Sequence, residues 1–285
     1  EFQVARTETF ADEELIWNSN TLPPVLNILL PAGILAEFTD YFWRARVKDL
    51  SGDSETEWSA WSQPGRFRTA YAFPFQDPFS VNRGWQGLSD NGWAIAAAQS
   101  GGGEYGGPDP GDDVTPDNED RGILGYVIGG DYLPGRAAAV VSPPVDCSQA
   151  QIVELSFWRW LGIESNDWAD ASLSVSSDGQ DWHPVWANSA TDTADDQWQQ
   201  MVFDLTPWAA GKATVFIAFD ISSVEQAFPF CGWNIDDLNL ASAAEKLAGI
   251  FLQVDRQDIE VGDVFNVDVF VQEDHPDAAG LLGAS

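Results

Sequence analysis

Hydrophobic residues alternate with polar ones through most of the chain, which is the two-residue period of half-buried β-strands. Between residues 137 and 219 the alternation recurs in separate segments, bounded by Gly, Pro, Asp and Asn. The inward-facing rows of these segments are Leu155, Phe157 and Leu161; Ala171, Leu173 and Val175; Met201, Phe203 and Leu205; and Ala213, Val215, Ile217 and Phe219. No stretch of this region has a convincing helical period. Short strands at this spacing predict a β-sandwich.

The strand that holds Leu155 carries two tryptophans on its other face. Trp158 and Trp160 are two residues apart and out of phase with the inward row. Flat indoles in such a row can stack on sugar rings, so we predict that they bind a carbohydrate ligand. The alternative is that a neighbouring strand or loop covers both, because large apolar side chains are usually buried.

The hydrophobic alternation of a later strand shifts by one residue within the strand. Trp233 and Ile235 share one face, whereas Leu238 and Leu240 fall on the opposite parity, so the pattern slips at residues 236–237, both aspartates. A β-bulge at this point would return all four apolar residues to one buried face and turn one or both carboxylates aside. The alternative is two adjacent acids at the end of a strand.

Both flanking regions are also rich in strand patterns. Residues 1–6 and 41–48 alternate, and in the second segment Tyr41, Trp43, Ala45 and Val47 face away from Arg44, Arg46 and Lys48. A turn-forming cluster follows at residues 49–53. A new strand pattern starts at Ile250 and continues to residue 271.

The charge of the chain bears on its partners. The 285 residues include 45 Asp and Glu against 13 Lys and Arg, for a formal net charge of −32. Such a surface repels nucleic acid and anionic lipid, so we do not expect nucleic-acid binding. No run of 18 apolar residues exists, so we expect no membrane insertion. The patterns begin and end in mid-strand, so we expect a piece of a longer polypeptide with two or three domains.

Several segments carry a family resemblance. They are residues 123–126 (ILGY), 130–132 (GDY), 141–147 (VSPPVDC), 155–162 (LSFWRWLG), 176–179 (SSDG) with Trp182, and 231–237 (CGWNIDD). In order and spacing, the chain from about residue 73 to residue 242 resembles the MAM-like jelly-roll modules of secreted bacterial multidomain proteins, which are often peptidases. The resemblance implies a module in an extracellular or cell-surface protein.

Weaker resemblances cover the two flanks. Residues 1–70 resemble the second half of a fibronectin type III domain, and residues 58–62 (WSAWS) fit the W-S-x-W-S motif of cytokine receptors. This resemblance implies a ladder in which the guanidinium planes of Arg44 and Arg46 stack between the indoles of Trp58 and Trp61. We interpret the ladder as structural, because fold does not imply function. The segment from Ile250 resembles the start of a cohesin-like β-sandwich.

The predicted fold class is therefore all-β, as tandem β-sandwiches. Residues 1–70 form a partial fibronectin type III-like domain and residues 71–242 a MAM-like jelly-roll module. Residues 250–285 form a truncated cohesin-like β-domain.

The MAM-like resemblance also bears on the two cysteines. It implies an extracytoplasmic module, in which a disulfide between Cys147 and Cys231 on neighbouring strands is favoured. The alternative is two buried thiols.

The resemblance further implies a structural calcium ion where the module begins and ends. Asp77 matches an acidic position near the first strand, where the family more often has glutamate, and Asp236 and Asp237 match the closing strand. Calcium takes six to eight oxygen ligands, so carbonyls and water would supply the rest. The acidic loop between residues 104 and 120 could hold the ion instead, although we expect that loop to be solvated and disordered.

No catalytic arrangement can be assembled from the sequence. His183 and His275 are the two histidines, neither cysteine lies in a Cys-x-x-Cys motif, and no glycine-rich phosphate loop precedes a helix. We therefore expect a non-catalytic extracellular binding or adhesion module whose ligand is a carbohydrate or a protein. One alternative is a structural spacer that positions a catalytic domain of the same polypeptide, such as a peptidase. A second alternative is that the chain is itself a hydrolase.

Overall fold

The structure is a computed structural model that describes part of the chain. Described are residues 1–20, 22–23, 25, 28–31, 33–48, 58–88, 91–115 and 121–242, with the backbone of residues 248–254, 267–273 and 282–283. The chain divides into two compact units, Glu1–Ala241 and Ser242–Ser285. Within the described segments, no helix has the length and apolarity that crossing a membrane would require.

The first unit begins with a four-stranded antiparallel sheet. Its strands are β1 (Phe2–Ala5), β2 (Leu15–Asn18), β3 (Asp40–Ala45) and β4 (Gly65–Arg68), in the order β2-β1-β3-β4. A 3-10 turn at Asp12–Glu14 connects the first two strands. The turn-forming cluster predicted at residues 49–53 lies outside the described residues.

One face of β3 and of the residues just after it carries a stack of cations and aromatic rings. The guanidinium of Arg44 lies 4.2 Å from the ring centre of Phe10 and 4.3 Å from that of Trp61. The guanidinium of Arg46 lies 4.4 Å from the ring centres of both Trp58 and Trp61. The structure therefore brings together Arg44, Arg46, Trp58 and Trp61 and extends the stack to Phe10. Contacts of this kind contribute about 0.5–1 kcal/mol each at exposed positions.

A two-layer β-sandwich follows in the same unit. One layer is a seven-stranded sheet, whose strands are β6 (Phe75–Asp77), β7 (Trp93–Ala97), β8 (Gly122–Tyr126), β11 (Glu154–Ile163), β14 (Thr193–Ala194), β15 (Gln199–Asp204) and β17 (Gly232–Ala241). Its main order is β14-β11-β17-β8-β7, with β15 also paired to β11 and β6 to β17.

The second layer is a four-stranded sheet. Its strands are β9 (Ala137–Val141), β12 (Ala169–Ser176), β13 (His183–Ala187) and β16 (Phe216–Ser223), in the order β13-β12-β16-β9. Two short parallel strands, β5 (Tyr71–Ala72) and β10 (Val145–Asp146), pair outside the two layers. A single helical turn, α1 (Thr206–Ala209), follows β15; a turn this short has no period that a sequence could reveal. The fold is thus an all-β, β-sandwich jelly roll, as predicted.

Aromatic and branched side chains from both layers fill the space between them. Trp233 of β17 packs against Trp93 of β7 at 6.4 Å between ring centres and edge-on against Phe219 of β16 at 5.3 Å. Phe157 of β11 reaches the same Phe219 at 5.2 Å. All four side chains are buried. Each large side chain removed from water in this way contributes about 1.5–3 kcal/mol.

The predicted β-bulge in β17 is confirmed. The pairing of β17 with β11 shifts register between Ser156 and Trp158, and Asp237 has a φ of +46°. Residues 232–241 nevertheless form one continuous strand. The extra residue places the four apolar side chains of the strand on one buried face; they are Trp233, Ile235, Leu238 and Leu240.

The second unit is described by its backbone alone. It contains a three-stranded antiparallel sheet of β18 (Ala248–Val254), β19 (Val267–Glu273) and β20 (Leu282–Gly283), in that order. The predicted strands over residues 250–254 and 267–271 are present. Residues 255–266 of the predicted strand pattern and His275 lie outside the described residues.

Candidate binding site

Trp158 and Trp160 lie on the outer face of the seven-stranded sheet, and both are half-buried. Their strand, β11, keeps Leu155 and its inward row in the core, as the alternation predicts. Trp158 stands directly opposite Gln200 of β15 on one side and Asp236 of β17 on the other. Directly opposite residues of antiparallel strands share a face, so an indole, an amide and a carboxyl form one row across three strands.

A third indole extends this surface. The ring of Trp198 stands edge-on to that of Trp160, with ring centres 5.9 Å apart and planes at 73°. The indole nitrogen of Trp160 donates a hydrogen bond to the carbonyl of Pro108 at 3.1 Å, and that of Trp198 donates to the carbonyl of Asp112 at 3.2 Å. These two bonds fix the orientation of the rings. The sequence does not single out Trp198, because its place beside Trp160 depends on how β11 and β15 pair.

The loop that supplies those carbonyls is anchored on the sheet by a buried carboxylate. Asp109 is 1% exposed. Its carboxylate accepts hydrogen bonds from the main-chain N–H groups of Gly129 (2.8 Å) and Gly130 (3.1 Å) and from the side-chain amide of Asn234 (2.6 Å). The expectation of a disordered loop is therefore wrong for residues 104–115, because these bonds hold the loop against the sheet, although Glu104 and Asp112 are exposed as a solvated loop implies. Residues 116–120 lie outside the described residues.

Asn234 is a site residue that no motif in the sequence indicates. It lies on β17, opposite Gly125 of β8, and is fully buried. A Cβ atom at Gly125 would come within 2.5 Å of the amide oxygen of Asn234, so the neighbouring strand must leave that space open. The available signal is the polar residue between Trp233 and Ile235 in an otherwise apolar stretch.

The aspartates at the bulge anchor the far end of the same loop. The carboxyl group of Asp236 accepts hydrogen bonds from the N–H groups of Val114 (2.9 Å) and Asp237 (2.8 Å). The hydroxyl of Thr115 donates to the carboxylate of Asp237 at 2.9 Å. The bulge thus turns both carboxyl groups toward the loop, which borders the indole surface.

Burial changes the ionisation of the two anchoring carboxyl groups. Loss of hydration raises the pKa of Asp236 to about 7, against the lowering effect of the N–H donors of Val114 and Asp237, and the nearby charges of Asp237 and Asp113 add to the rise. Loss of hydration likewise raises the pKa of Asp109 to about 6, against the lowering effect of its three donors. Both groups therefore gain protons close to neutral pH, far above the usual range of an aspartate.

The three aspartates predicted to hold calcium do not all converge, because Asp77 and Asp236 lie on opposite faces of the sheet. Asp77 pairs with Leu238 on the core side of the sheet, where its carboxylate accepts hydrogen bonds from the N–H of Phe79 (3.0 Å) and the indole nitrogen of Trp85 (2.8 Å). Asp236 lies on the outer face of the same sheet. Among the residues described, no cluster of three or more His, Cys, Asp or Glu is arranged to hold a metal ion. The three aspartates therefore do not fit the predicted calcium site.

Asp77 and Asp237 do line one open pocket beside the bulge. Its volume is about 330 Å³. The lining residues are Gln76, Asp77, Pro78, Asp237, Leu238 and Asn239. Because Asp77 already uses both carboxylate oxygens, the pocket offers a calcium ion few of the six to eight oxygens that it needs.

The predicted disulfide is not formed, because Cys147 and Cys231 are both free and buried. The carbonyl of Cys147 accepts the N–H of Gly211, just after α1 and beside the start of β11. The sulfur of Cys231 lies against Gly162, near the other end of β11. The eight residue steps from Glu154 to Gly162 span roughly 26 Å of strand, far beyond the reach of a disulfide. The thiols lie at opposite ends of the sandwich and not on neighbouring strands of one sheet.

The chain was compared with family models, curated proteins and solved structures. No family model matches the chain, and no curated protein matches it. Among solved structures, the chain is similar to the K1 cleaved adhesin domain of Lys-gingipain from Porphyromonas gingivalis W83, at 17% identity over 60% of this chain and 98% of that domain, with a TM-score of 0.34.

Two carbohydrate-binding modules are also similar. One is TmCBM61, solved in complex with β-1,4-galactotriose, at 12% identity over 57% of this chain and 92% of that one, with a TM-score of 0.37. The other is the CBM22-1 xylan-binding domain of Xyn10C from Paenibacillus barcinonensis, at 14% identity over 60% of this chain and 95% of that one, with a TM-score of 0.30. At these identities, the function of this chain has to be inferred from its own residues.

Proposed function

We propose that the chain is a non-catalytic extracellular binding module that holds a carbohydrate on the outer face of its seven-stranded sheet. The observation that carries the proposal is the group of three half-buried indoles, Trp158, Trp160 and Trp198, oriented by hydrogen bonds from two of them to one loop. Indoles combine a flat apolar face with a polar edge, which suits the apolar face and hydroxyl edge of a sugar ring.

Polar groups beside the indoles support the same ligand. The exposed side chain of Gln200 stands opposite Trp158 and can both donate to and accept from sugar hydroxyls. The loop carbonyls of Pro108 and Asp112 are held in place at the border of the surface. A few placed polar groups among aromatic rings are typical of small-molecule sites.

The charge of the chain narrows the class of sugar. With a formal net charge of −32, the molecule repels sulfated, sialylated and uronic-acid glycans. We therefore propose a neutral glycan as the ligand. The partners would be glycans at a cell surface, together with further domains of the same polypeptide.

A neutral-glycan array, followed by calorimetric titration of each hit, tests the proposal with the whole chain. We expect Trp158→Ala and Trp160→Ala each to weaken binding by up to about tenfold, because an aromatic stacking contact contributes about 0.5–1.5 kcal/mol. The matched control is Trp43→Ala, at an exposed tryptophan of β3 in the N-terminal four-stranded sheet. This substitution should leave affinity unchanged.

Two results would contradict the proposal. Absence of binding to any neutral glycan would favour the structural spacer. Binding that survives both substitutions would place the ligand on another surface.

A further inference from the structure

Exposed apolar side chains gather at one end of the sandwich. This end lies where β11 finishes and β17 begins, and we call the group the tip cluster. Its members, with the fraction of each residue exposed, are Tyr105 (36%), Leu133 (59%), Trp168 (45%), Val224 (42%) and Phe228 (50%). Several exposed apolar residues grouped at one end mark a candidate interaction site, whereas single exposed apolar residues do not.

Main-chain and ring contacts hold the tip cluster together. The rings of Tyr105 and Phe228 stack with centres 4.5 Å apart and planes at 26°. The N–H of Val224 donates to the carbonyl of Trp168 at 2.9 Å, and the N–H of Phe228 donates to the buried carboxylate of Glu164 at 2.8 Å. The segments that carry the cluster are therefore fixed before any partner arrives, which lowers the entropic cost of binding.

The tip cluster lies away from the ends by which the chain enters and leaves the sandwich. The first strand, β6, begins at Phe75, which pairs with Leu240 near the end of β17. Glu154 pairs with Ala241 at that same end. The tip is the opposite end, eight residues further along β11, where Gly162 pairs with Gly232.

The rim of the tip cluster is acidic. The exposed carboxylates beside its members are Glu104, Asp167, Asp192 and Glu225. Arg136 is the only Lys or Arg in the described segments that build this end. These segments are residues 104–107, 131–136, 163–168, 189–192 and 223–230. An apolar centre with a rim of one charge is complementary to an apolar partner surface that carries the opposite charge.

We propose that the tip cluster binds a partner-protein segment in which Lys or Arg side chains alternate with large apolar ones. The apolar side chains would pack on Trp168 and Phe228, and the cations would pair with the carboxylates of the rim. The rim disfavours acidic proteins and anionic membranes by like-charge repulsion. This proposal is independent of carbohydrate binding, which uses the outer face of the seven-stranded sheet.

Fluorescence anisotropy with three synthetic peptides of equal length tests the proposal on the whole chain. The first alternates Arg with Leu and Phe, the second replaces Arg with Glu, and the third replaces Leu and Phe with Ser. We expect only the first peptide to bind. Its affinity should fall about tenfold between low and high salt, because salt screens exposed charge pairs.

Substitutions separate this site from the rest of the surface. Phe228→Ser and Trp168→Ser should each weaken binding of the first peptide at least about tenfold, as truncation of a central aromatic residue does at interfaces. Both residues are exposed, so the fold is retained, which circular dichroism checks. Val81→Ser, at an apolar residue 65% exposed in another loop, and Trp43→Ala, at an exposed tryptophan of β3, should leave peptide affinity unchanged.

Any of five results would overturn the proposal. The Glu peptide binds as tightly as the Arg peptide, or no peptide binds. Phe228→Ser and Trp168→Ser both leave the affinity unchanged. If the chain forms concentration-dependent dimers and Phe228→Ser dissociates them, a second copy of the chain covers the tip. If Phe228→Ser abolishes neutral-glycan binding while Trp160→Ala retains it, the tip is a sugar site.

Discussion

Trp158 and Asp236 stand directly opposite each other across β11 and β17, so an indole and a buried carboxyl occupy one row on the outer face of the sheet. Asp236 accepts the N–H of Val114 and thereby fixes the loop whose carbonyls orient Trp160 and Trp198. The β-bulge therefore connects one buried carboxyl group to the loop that borders the proposed binding surface.

We expect stability to fall as pH rises from about 4 to about 7, and Asp236→Asn to reduce that fall. Burial raises the pKa of Asp236 from 3.8 to about 7, so between these values the folded chain keeps a proton that the unfolded chain has lost. The resulting stabilisation is complete below the unfolded pKa and is lost as pH rises through the folded pKa, by at most about 1.4 kcal/mol per pH unit for one group. Urea unfolding across this range measures the slope.

A control separates this effect from the repulsion among all carboxylates, which also lowers stability as pH rises. Asp112→Asn removes an exposed carboxylate and leaves in place the main-chain carbonyl that Trp198 uses. It should keep the parent slope, including at high salt, where general repulsion is screened. Equal slopes for the parent and Asp236→Asn would contradict the prediction.

Asp109→Ala should loosen the loop that borders the indole surface. The substitution leaves the N–H groups of Gly129 and Gly130 and the amide of Asn234 without their acceptor. Unsatisfied buried groups cost about 1–3 kcal/mol each, and relief of the desolvated carboxylate offsets part of that cost. We therefore expect the free energy of unfolding to drop by about 1–3 kcal/mol overall.

Limited proteolysis adds a readout that is local to the loop. Cleavage within residues 101–115 should be faster in Asp109→Ala than in the parent, whereas Asp112→Ala, at an exposed position, should change neither cleavage nor stability by much. Unchanged cleavage in Asp109→Ala would show that the loop does not depend on this carboxylate.

The sandwich strands and the bulge could be predicted because both follow from the parity of neighbouring residues. Leu155 and Phe157 belong in the core by alternation alone, and the slip between Ile235 and Leu238 marks the extra residue. Register slips of one residue reverse every side chain, so a local pattern is enough to detect them.

The composition of the site could not be predicted in the same way. Asp109 and Asn234 are 125 residues apart in sequence, and Val114 and Asp236 are 122 apart. A loop rich in acids predicts solvation, and the bonds that fix it come from strands that no local pattern connects to it. Sequence placed Trp158 and Trp160 on the outer face, but Trp198 joins them through the pairing of distant strands.

Free thiols should be measurable in the chain without any reductant. We expect Ellman's reagent to titrate both cysteines after unfolding and to react slowly with the folded chain. Burial raises the pKa of Cys147 to about 12 and also raises that of Cys231, so little reactive thiolate forms at neutral pH. A sample treated with reductant gives the reference count. Fewer thiols in the untreated, unfolded chain would show a disulfide that requires a different arrangement of the two ends of the sandwich.

Calcium should have little specific effect on stability, even though the resemblance implies a calcium site. Asp77 faces the core and uses both carboxylate oxygens on Phe79 and Trp85, while Asp236 lies on the outer face and binds the loop. Calcium binding at these aspartates would have to break such bonds and bring together carboxylates from opposite faces of a sheet.

Melting temperatures in millimolar calcium, in equal magnesium and in chelator measure the effect. Both cations should raise the melting temperature slightly and equally, because they screen a net charge of −32. A larger rise with calcium than with magnesium, lost in Asp237→Asn but retained in Asp112→Asn, would show that the pocket beside the bulge binds calcium.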